Sequence, residues 1–160
     1  MRLTVRTNLS IRALMYLATR GARLSRSAEI ARACNCSANH LAQVINQLHA
    51  AGFIEALRGR GGGVRLARPP EAINIGDVFR AFEADVPFTE CFALETNTCP
   101  LVSACRLRGA ISRALDAFYG ELDQVTLADL VENNRALDEI FALPEAVSDL
   151  ARRAPAACPA

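Results

Sequence analysis

The chain has 160 residues, 51% hydrophobic and 22% charged, enough for one sizeable core with an accessory helical region but not for two full domains. No apolar run approaches the length of a membrane span, and Arg2, Arg6 and Arg12 interrupt the N-terminal apolar residues, so neither a signal peptide nor a membrane partner is expected. The net charge of +1 conceals an asymmetry, because residues 1–68 carry eleven arginines against Glu29 and Glu55 while residues 69–160 carry seven against fifteen acids. A basic first half is the electrostatic footprint of a polyanion partner, and the acidic second half should repel one.

In chain order, Thr7 reads as the N-cap of a first helix. Its apolar residues Ile11, Leu14, Met15, Leu17 and Ala18 lie largely on one face, and Gly21 is a natural stop. A short helix over 28–33 follows, entered through Ser25 or Ser27. The turn Asn35-Cys36-Ser37 leads into a third helix, capped by Ser37 and ended at Gly52. There Leu41, Val44, Ile45 and Leu48 repeat at i, i+3, i+4, i+7 and bury one face. Asn39, His40, Gln43, Asn46 and Gln47 are left largely on the exposed side. A face of amides and imidazole without an acid suits a major-groove reader, since Asn and Gln pair bidentately with adenine edges.

Two short strands, 53–57 and 64–67, flank the tip Arg58-Gly59-Arg60-Gly61-Gly62-Gly63. The tip lacks the Gly-Lys-Ser/Thr and following helix of a phosphate-binding loop. Three helices followed by an arginine-tipped hairpin is the order of a winged helix-turn-helix. Ser37, Asn39, His40 and Gln43 are therefore candidates for the major groove, and Arg58 and Arg60 for the wing.

Beyond Pro69-Pro70, residues 73–82 read as a strand running into a helix, and residues 85–98 show no clear period. From Pro100, a good first-turn residue, to about Leu122 lies the longest amphipathic pattern, with a stripe of Leu107, Ile111, Ala114, Leu115, Phe118 and Leu122. Such a face must be buried, and a two-fold partner helix is the economical solution. Thr126 caps a last short helix over 127–132. The fold class is thus mainly α with a small β-hairpin: a winged helix-turn-helix domain over 1–84, a cysteine-bearing loop over 85–99, a long dimerisation helix with a short C-terminal helix over 100–134, and a flexible tail over 135–160.

Six cysteines without an export signal point to a reducing cytoplasm, where clustered thiols more often hold metal than form disulfides. Cys91, Cys99 and Cys105 form C-x7-C-x5-C within fifteen residues and are the only triplet close enough in sequence to share one metal centre. A closed zinc site usually takes four Cys or His ligands at tighter pairings, so zinc is the weaker reading. Cys34 and Cys36 flank the helix-turn-helix turn and read as packing residues. Cys158 lies in the tail.

Several stretches carry a family resemblance: Arg12-Ala13-Leu14-Met15-Tyr16-Leu17-Ala18, Val44-Ile45-Asn46-Gln47-Leu48, Arg58-Gly59-Arg60-Gly61-Gly62-Gly63, Ile75-Gly76-Asp77-Val78, Glu90-Cys91-Phe92, Cys99-Pro100-Leu101 through Cys105-Arg106-Leu107, and Leu127-Ala128-Asp129-Leu130. In these the chain resembles the NsrR group of nitric-oxide-sensing repressors, which belongs with the IscR regulators to one winged-helix superfamily. The resemblance implies a homodimer bound to a double-stranded, two-fold-symmetric DNA operator, and no enzymatic activity. It implies an iron–sulfur cluster, 4Fe–4S with 2Fe–2S as the alternative, on Cys91, Cys99 and Cys105, and release of DNA when nitric oxide nitrosylates or removes it. Two positions depart from the pattern. Asn8 stands where relatives often carry an aspartate able to be the fourth ligand, and Arg108 stands where the IscR pattern has a histidine. The rival readings are a regulator of the same fold sensing iron–sulfur supply or redox stress, an iron–sulfur electron-transfer protein, and a zinc-stabilised interaction module.

Overall fold

A computed structural model describes residues 3–59, 61–83, 87–93 and 95–142. Helix α1 spans Val5–Thr19, and its N-cap is Thr4 rather than Thr7: the Thr4 hydroxyl accepts from the Thr7 N–H at 3.2 Å. Thr7 lies inside, fully buried, and its hydroxyl donates to Glu83. The Glu83 carboxylate also accepts from the Thr4 N–H at 2.9 Å. An acceptor 79 residues away in sequence thus satisfies donors at this helix start, which local pattern could not show.

Helix α2 covers Ser27–Ala33 and its N-cap is Arg26, neither Ser25 nor Ser27; Glu29 closes the cap by accepting from the Arg26 N–H at 3.1 Å. Ser25 is used elsewhere, exchanging two backbone hydrogen bonds with Val64 of the wing. The α2 exit is a Schellman turn. Asn35 takes φ +48°, while the Cys36 N–H reaches the Ala31 carbonyl and the Asn35 N–H that of Arg32. Helix α3, Ala38–Ala50, is capped by Ser37 as expected, buries Leu41, Val44, Ile45 and Leu48, and ends before Gly52 at φ +73°.

Strands β1 (Ile54–Leu57) and β2 (Gly63–Leu66) pair antiparallel, with Ile54 opposite Leu66 and Leu57 opposite Gly63. After a 3-10 turn at Pro70–Ala72 come α4 (Ile75–Glu83), α5 (Arg106–Leu122), α6 (Leu127–Val131) and α7 (Arg135–Ala142). The core centres on α1, which packs against α3, α4 and α6 through Leu9, Leu14, Leu17, Leu41, Leu48, Val78 and Leu127, among others. Apolar burial of this kind is the dominant stabilising term.

Three expectations change in the C-terminal half. Helix α5 begins at Arg106 with Cys105 as N-cap, so Pro100 is not its first turn. Residues 100–104 form turns instead, with the Ala104 N–H on the Leu101 carbonyl and the Val102 N–H on that of Cys99. Helix α6, grouped by sequence with the dimerisation helix, is part of the winged-helix core. The Ile75 N–H donates to Val125 and the Leu127 N–H to Ile73, and Leu127 is fully buried. Residues 135–142, placed in the tail by the sequence reading, form α7. The Phe141 ring meets Tyr16 edge-on at 5.4 Å, and Arg20 lies over Tyr16 and donates to the Phe141 carbonyl at 2.8 Å. The remaining tail, with Cys158, lies outside the described residues. Among those described, no helix is long and apolar enough to cross a membrane.

The α5 stripe is partly covered. Phe118, Tyr119 and Leu122 pack on the core, with Phe118 against Phe79 at 5.9 Å, whereas Leu107 is 66% exposed. A brace holds α5 to α4: the Arg80 guanidinium forks onto the Asp123 carboxylate at 2.6 and 2.7 Å and stacks over Tyr119. Gly76 makes room for it, since a Cβ there would lie 2.0 Å from an Asp123 carboxylate oxygen.

Candidate nucleic-acid interface and cysteine segment

Helix α3 presents Ser37, Asn39, His40 and Gln43 as exposed residues at its N-terminal end, the end a recognition helix points at base edges. The Ser37 oxygen accepts from the His40 N–H at 3.3 Å and so fixes the start of the helix. Gln47 differs from the sequence reading. It is half-buried, and its amide donates to the Ala81 carbonyl of α4 at 2.7 Å, joining the recognition helix to α4. His49, in the last turn of α3, pairs through Nδ1 with the Ile54 carbonyl at 3.1 Å; a carbonyl only accepts, so Nδ1 carries the proton.

At the wing, Arg58 is exposed beside Gly59 at φ +110°, and Arg60 lies outside the described residues. Arg65 is paired across the strands with Glu55, at 3.0 and 2.8 Å. Arg68 lies over the Phe53 ring at 5.2 Å. Arg58 therefore keeps an exposed charge at the tip, while Arg65 is partly neutralised.

The three clustered cysteines occupy the segment between α4 and α5. Cys91 sits on a single 3-10 turn, Glu90–Phe92; Cys99 follows a turn at residues 95–96 and two irregular residues; Cys105 is the N-cap of α5 and makes no side-chain cap bond. All three are free and half-buried. The Thr89 hydroxyl lies 3.0 Å from the Cys91 sulfur, and the Asn97 carboxamide accepts from the Cys99 N–H at 3.0 Å. Glu90 accepts from both the N–H and the hydroxyl of Thr98, at 2.7 and 2.5 Å, and these bonds hold its carboxyl below the usual range. Arg108 donates from Nε to the Cys91 carbonyl at 3.1 Å and lies over the Phe92 ring.

The thiols themselves are not drawn together: among the described residues no three His, Cys, Asp or Glu side chains are gathered closely enough to hold a metal ion. Asn8 is an exposed residue of α1. By donor chemistry, however, the segment suits a thiolate-ligated cluster. The other described pair does not. Cys34 is 1% exposed and burial, with Cys36 adding to it, pushes its thiol up to about 12; burial raises Cys36 as well. Both stay protonated and pack in or against the core. Sequence reasoning missed Glu90, Thr98 and Gln47 as organising residues. Only the adjacency of Glu90 to Cys91 and of Thr98 to Cys99 offered a signal.

A three-helix core with a recognition helix and an arginine-tipped wing defines a DNA-binding regulator of the winged-helix class. The chain belongs to the Rrf2 family, described as iron-dependent transcriptional regulators, whose pattern matches residues 3–133. It is similar to the HTH-type transcriptional regulator NsrR of Halalkalibacterium halodurans, 44% identical over 144 residues (89% of this chain and 99% of the relative). The NsrR of Bacillus subtilis is 41% identical over 91% of this chain and all of the relative. Among solved structures, T. potens IscR matches with a TM-score of 0.66 and 25% identity, covering 83% of this chain and 88% of that one. The oxidised form of Staphylococcus aureus CymR matches with a TM-score of 0.65 and 27% identity, covering 82% and 97%. These relatives are named as regulators, and the chain is a transcriptional regulator, not an enzyme.

Proposed function

We propose that this regulator is a dimeric repressor of the cytoplasm that holds an iron–sulfur cluster on Cys91, Cys99 and Cys105 and leaves its operator when nitric oxide reaches that cluster. The observation that carries the reading is the placement of three free, half-buried thiols on one short segment between α4 and α5. They stand in a chain that is 41–44% identical to NsrR proteins over most of its length. When bound, the cluster supplies iron at which a small diatomic ligand can attach. The neutral Asn8 would be a weaker iron ligand than a carboxylate, so the three cysteines would hold a 4Fe–4S centre, or alternatively a 2Fe–2S centre, without a strong fourth protein ligand at that position.

The protein's own residues then transmit the change. Gln47 fastens α3 to α4, Glu83 fastens the end of α4 to the start of α1, and the Arg80–Asp123 pair fastens α4 to α5. The cysteine segment lies between α4 and α5, so movement in it bears on the element that positions the recognition helix. The exposed N-terminal half of the α5 stripe, Leu107 foremost, is the face a second copy would cover. Ser37, Asn39, His40 and Gln43 would face bases in the major groove, and Arg58 and Arg60 the backbone beside it.

Anaerobic purification followed by visible absorbance and iron and sulfide analysis tests the cofactor. A coloured protein with both elements in cluster stoichiometry is expected. A colourless protein holding zinc, prepared from iron-replete anaerobic cells, would overturn the reading.

A further inference from the structure

Among its described residues the cysteine segment buries none fully, yet it is closed by polar contacts that fall beside the proposed ligands. Glu90 immediately precedes Cys91, and Thr98 immediately precedes Cys99. Through one carboxylate oxygen, Glu90 receives both the backbone N–H and the hydroxyl of Thr98, eight residues away, so the two cysteine-bearing stretches are clasped together at their bases. Arg108, one turn into α5 from Cys105, donates to the Cys91 carbonyl and covers Phe92 with its guanidinium. These two contacts relate the backbones of all three cysteines before any metal arrives.

We infer that Glu90 and Arg108 are positioning residues that preassemble the cysteine segment for cluster uptake, Glu90 by clasping Cys91 to Cys99 and Arg108 by latching Cys91 to the start of α5. The inference rests on the cluster reading above and adds to it the residues that lower the ordering cost of ligation. The physical reason is entropic. Closing a flexible loop on an inorganic centre requires its conformational freedom to be given up, and a loop already clasped has less to lose. Neither residue need touch iron. Partners that orient metal ligands without binding the metal change metal affinity by about 10- to 100-fold when removed. Both side chains are on the segment's surface or half-buried, and neither belongs to the winged-helix core, so their loss should leave the fold intact.

The test compares wild type with Glu90→Ala, Glu90→Gln, Arg108→Leu and Arg108→Lys. Amide hydrogen exchange at Thr98 in the cluster-free protein reads the clasp directly, without any cofactor. Thermal unfolding and circular dichroism report the fold. Cluster loss to an excess of a ferrous chelator, followed by visible absorbance under anaerobic conditions, reads the functional consequence. Glu90→Ala and Arg108→Leu are expected to unfold like wild type and to lose cluster about 10-fold faster or more. Thr98 exchange should also rise about 10-fold in Glu90→Ala, on the scale of one lost hydrogen bond. Glu90→Gln, which keeps an acceptor oxygen, and Arg108→Lys, which keeps a donor, should recover part of each loss. If both truncations load fully and release cluster at the wild-type rate, the positioning roles are wrong while the cluster reading stands. If wild type takes up no cluster although Thr98 is protected, the cluster reading fails and the positioning roles fail with it.

Discussion

Glu83 shows how one side chain can fix a helix from far away in sequence. It accepts from Thr4 and Thr7, and Thr7 is fully buried. Glu83→Ala leaves those donors without their acceptor and should destabilise the fold by about 1–3 kcal/mol, read from the shift in urea midpoint. Cys34 gives a second residue-level expectation. It should resist iodoacetamide until the protein unfolds, while Cys91, Cys99 and Cys105 of the cluster-free protein react. Its thiol titrates higher when folded than when unfolded, so the folded state holds a proton that the unfolded state releases. Stability should therefore fall as pH rises from about 9 toward about 12, and Cys34→Ala should flatten that decline in urea titrations. The burial of Cys34 was readable from sequence as packing at the turn. The role of Glu83 was not, because a Glu at a helix end looks the same whether or not a distant helix start needs an acceptor.

Elements with a strong local period were legible. The repeat Leu41, Val44, Ile45, Leu48 and the Ser37 cap located α3 closely, and the glycine-rich tip located the wing. The start of α5 was not, since Pro at a first turn is permissive and does not compel a helix; residues 100–104 turn instead. Leu137, Ile140 and Phe141 carry a helical spacing over α7, but the Ala- and Pro-rich residues that follow mask it in the composition of the C-terminal stretch. The α4–α5 brace exists only through tertiary contact. Gly76→Ala would push a methyl into Asp123 and should cost about 1–3 kcal/mol, with α5 loosened as read by hydrogen exchange. The hydrogen bond from Arg80 holds the Asp123 carboxyl below its ordinary value, and Thr126 does the same for Asp129 at the α6 capping box. Both contributions are present above the ordinary carboxylate range and are lost as pH falls through the depressed values. Asp123→Asn and Asp129→Asn should each reduce the acid sensitivity of unfolding.

At the scale of the molecule, charge separates the two jobs. Eleven of the eighteen arginines lie in residues 1–68, the half of the sequence that contains the recognition helix and the wing, and the acids concentrate beyond. DNA affinity should fall steeply with salt. Arg58→Ala should reduce the log–log salt slope by about one while weakening all duplexes alike, whereas Asn39→Ala or Gln43→Ala should relax preference at one or two base pairs, each by about 1–3 kcal/mol. In the proposed function the cysteine segment would add the signal to this scaffold. The most direct measurement is a nitric-oxide titration of anaerobically prepared, cluster-loaded protein bound to a duplex selected by that same protein from a random pool, followed by fluorescence anisotropy. Operator release through the cluster predicts loss of DNA binding in step with bleaching of the cluster absorbance, and no response in Cys99→Ala, which should not load. Unchanged DNA affinity of the loaded protein after its cluster absorbance has bleached would contradict it.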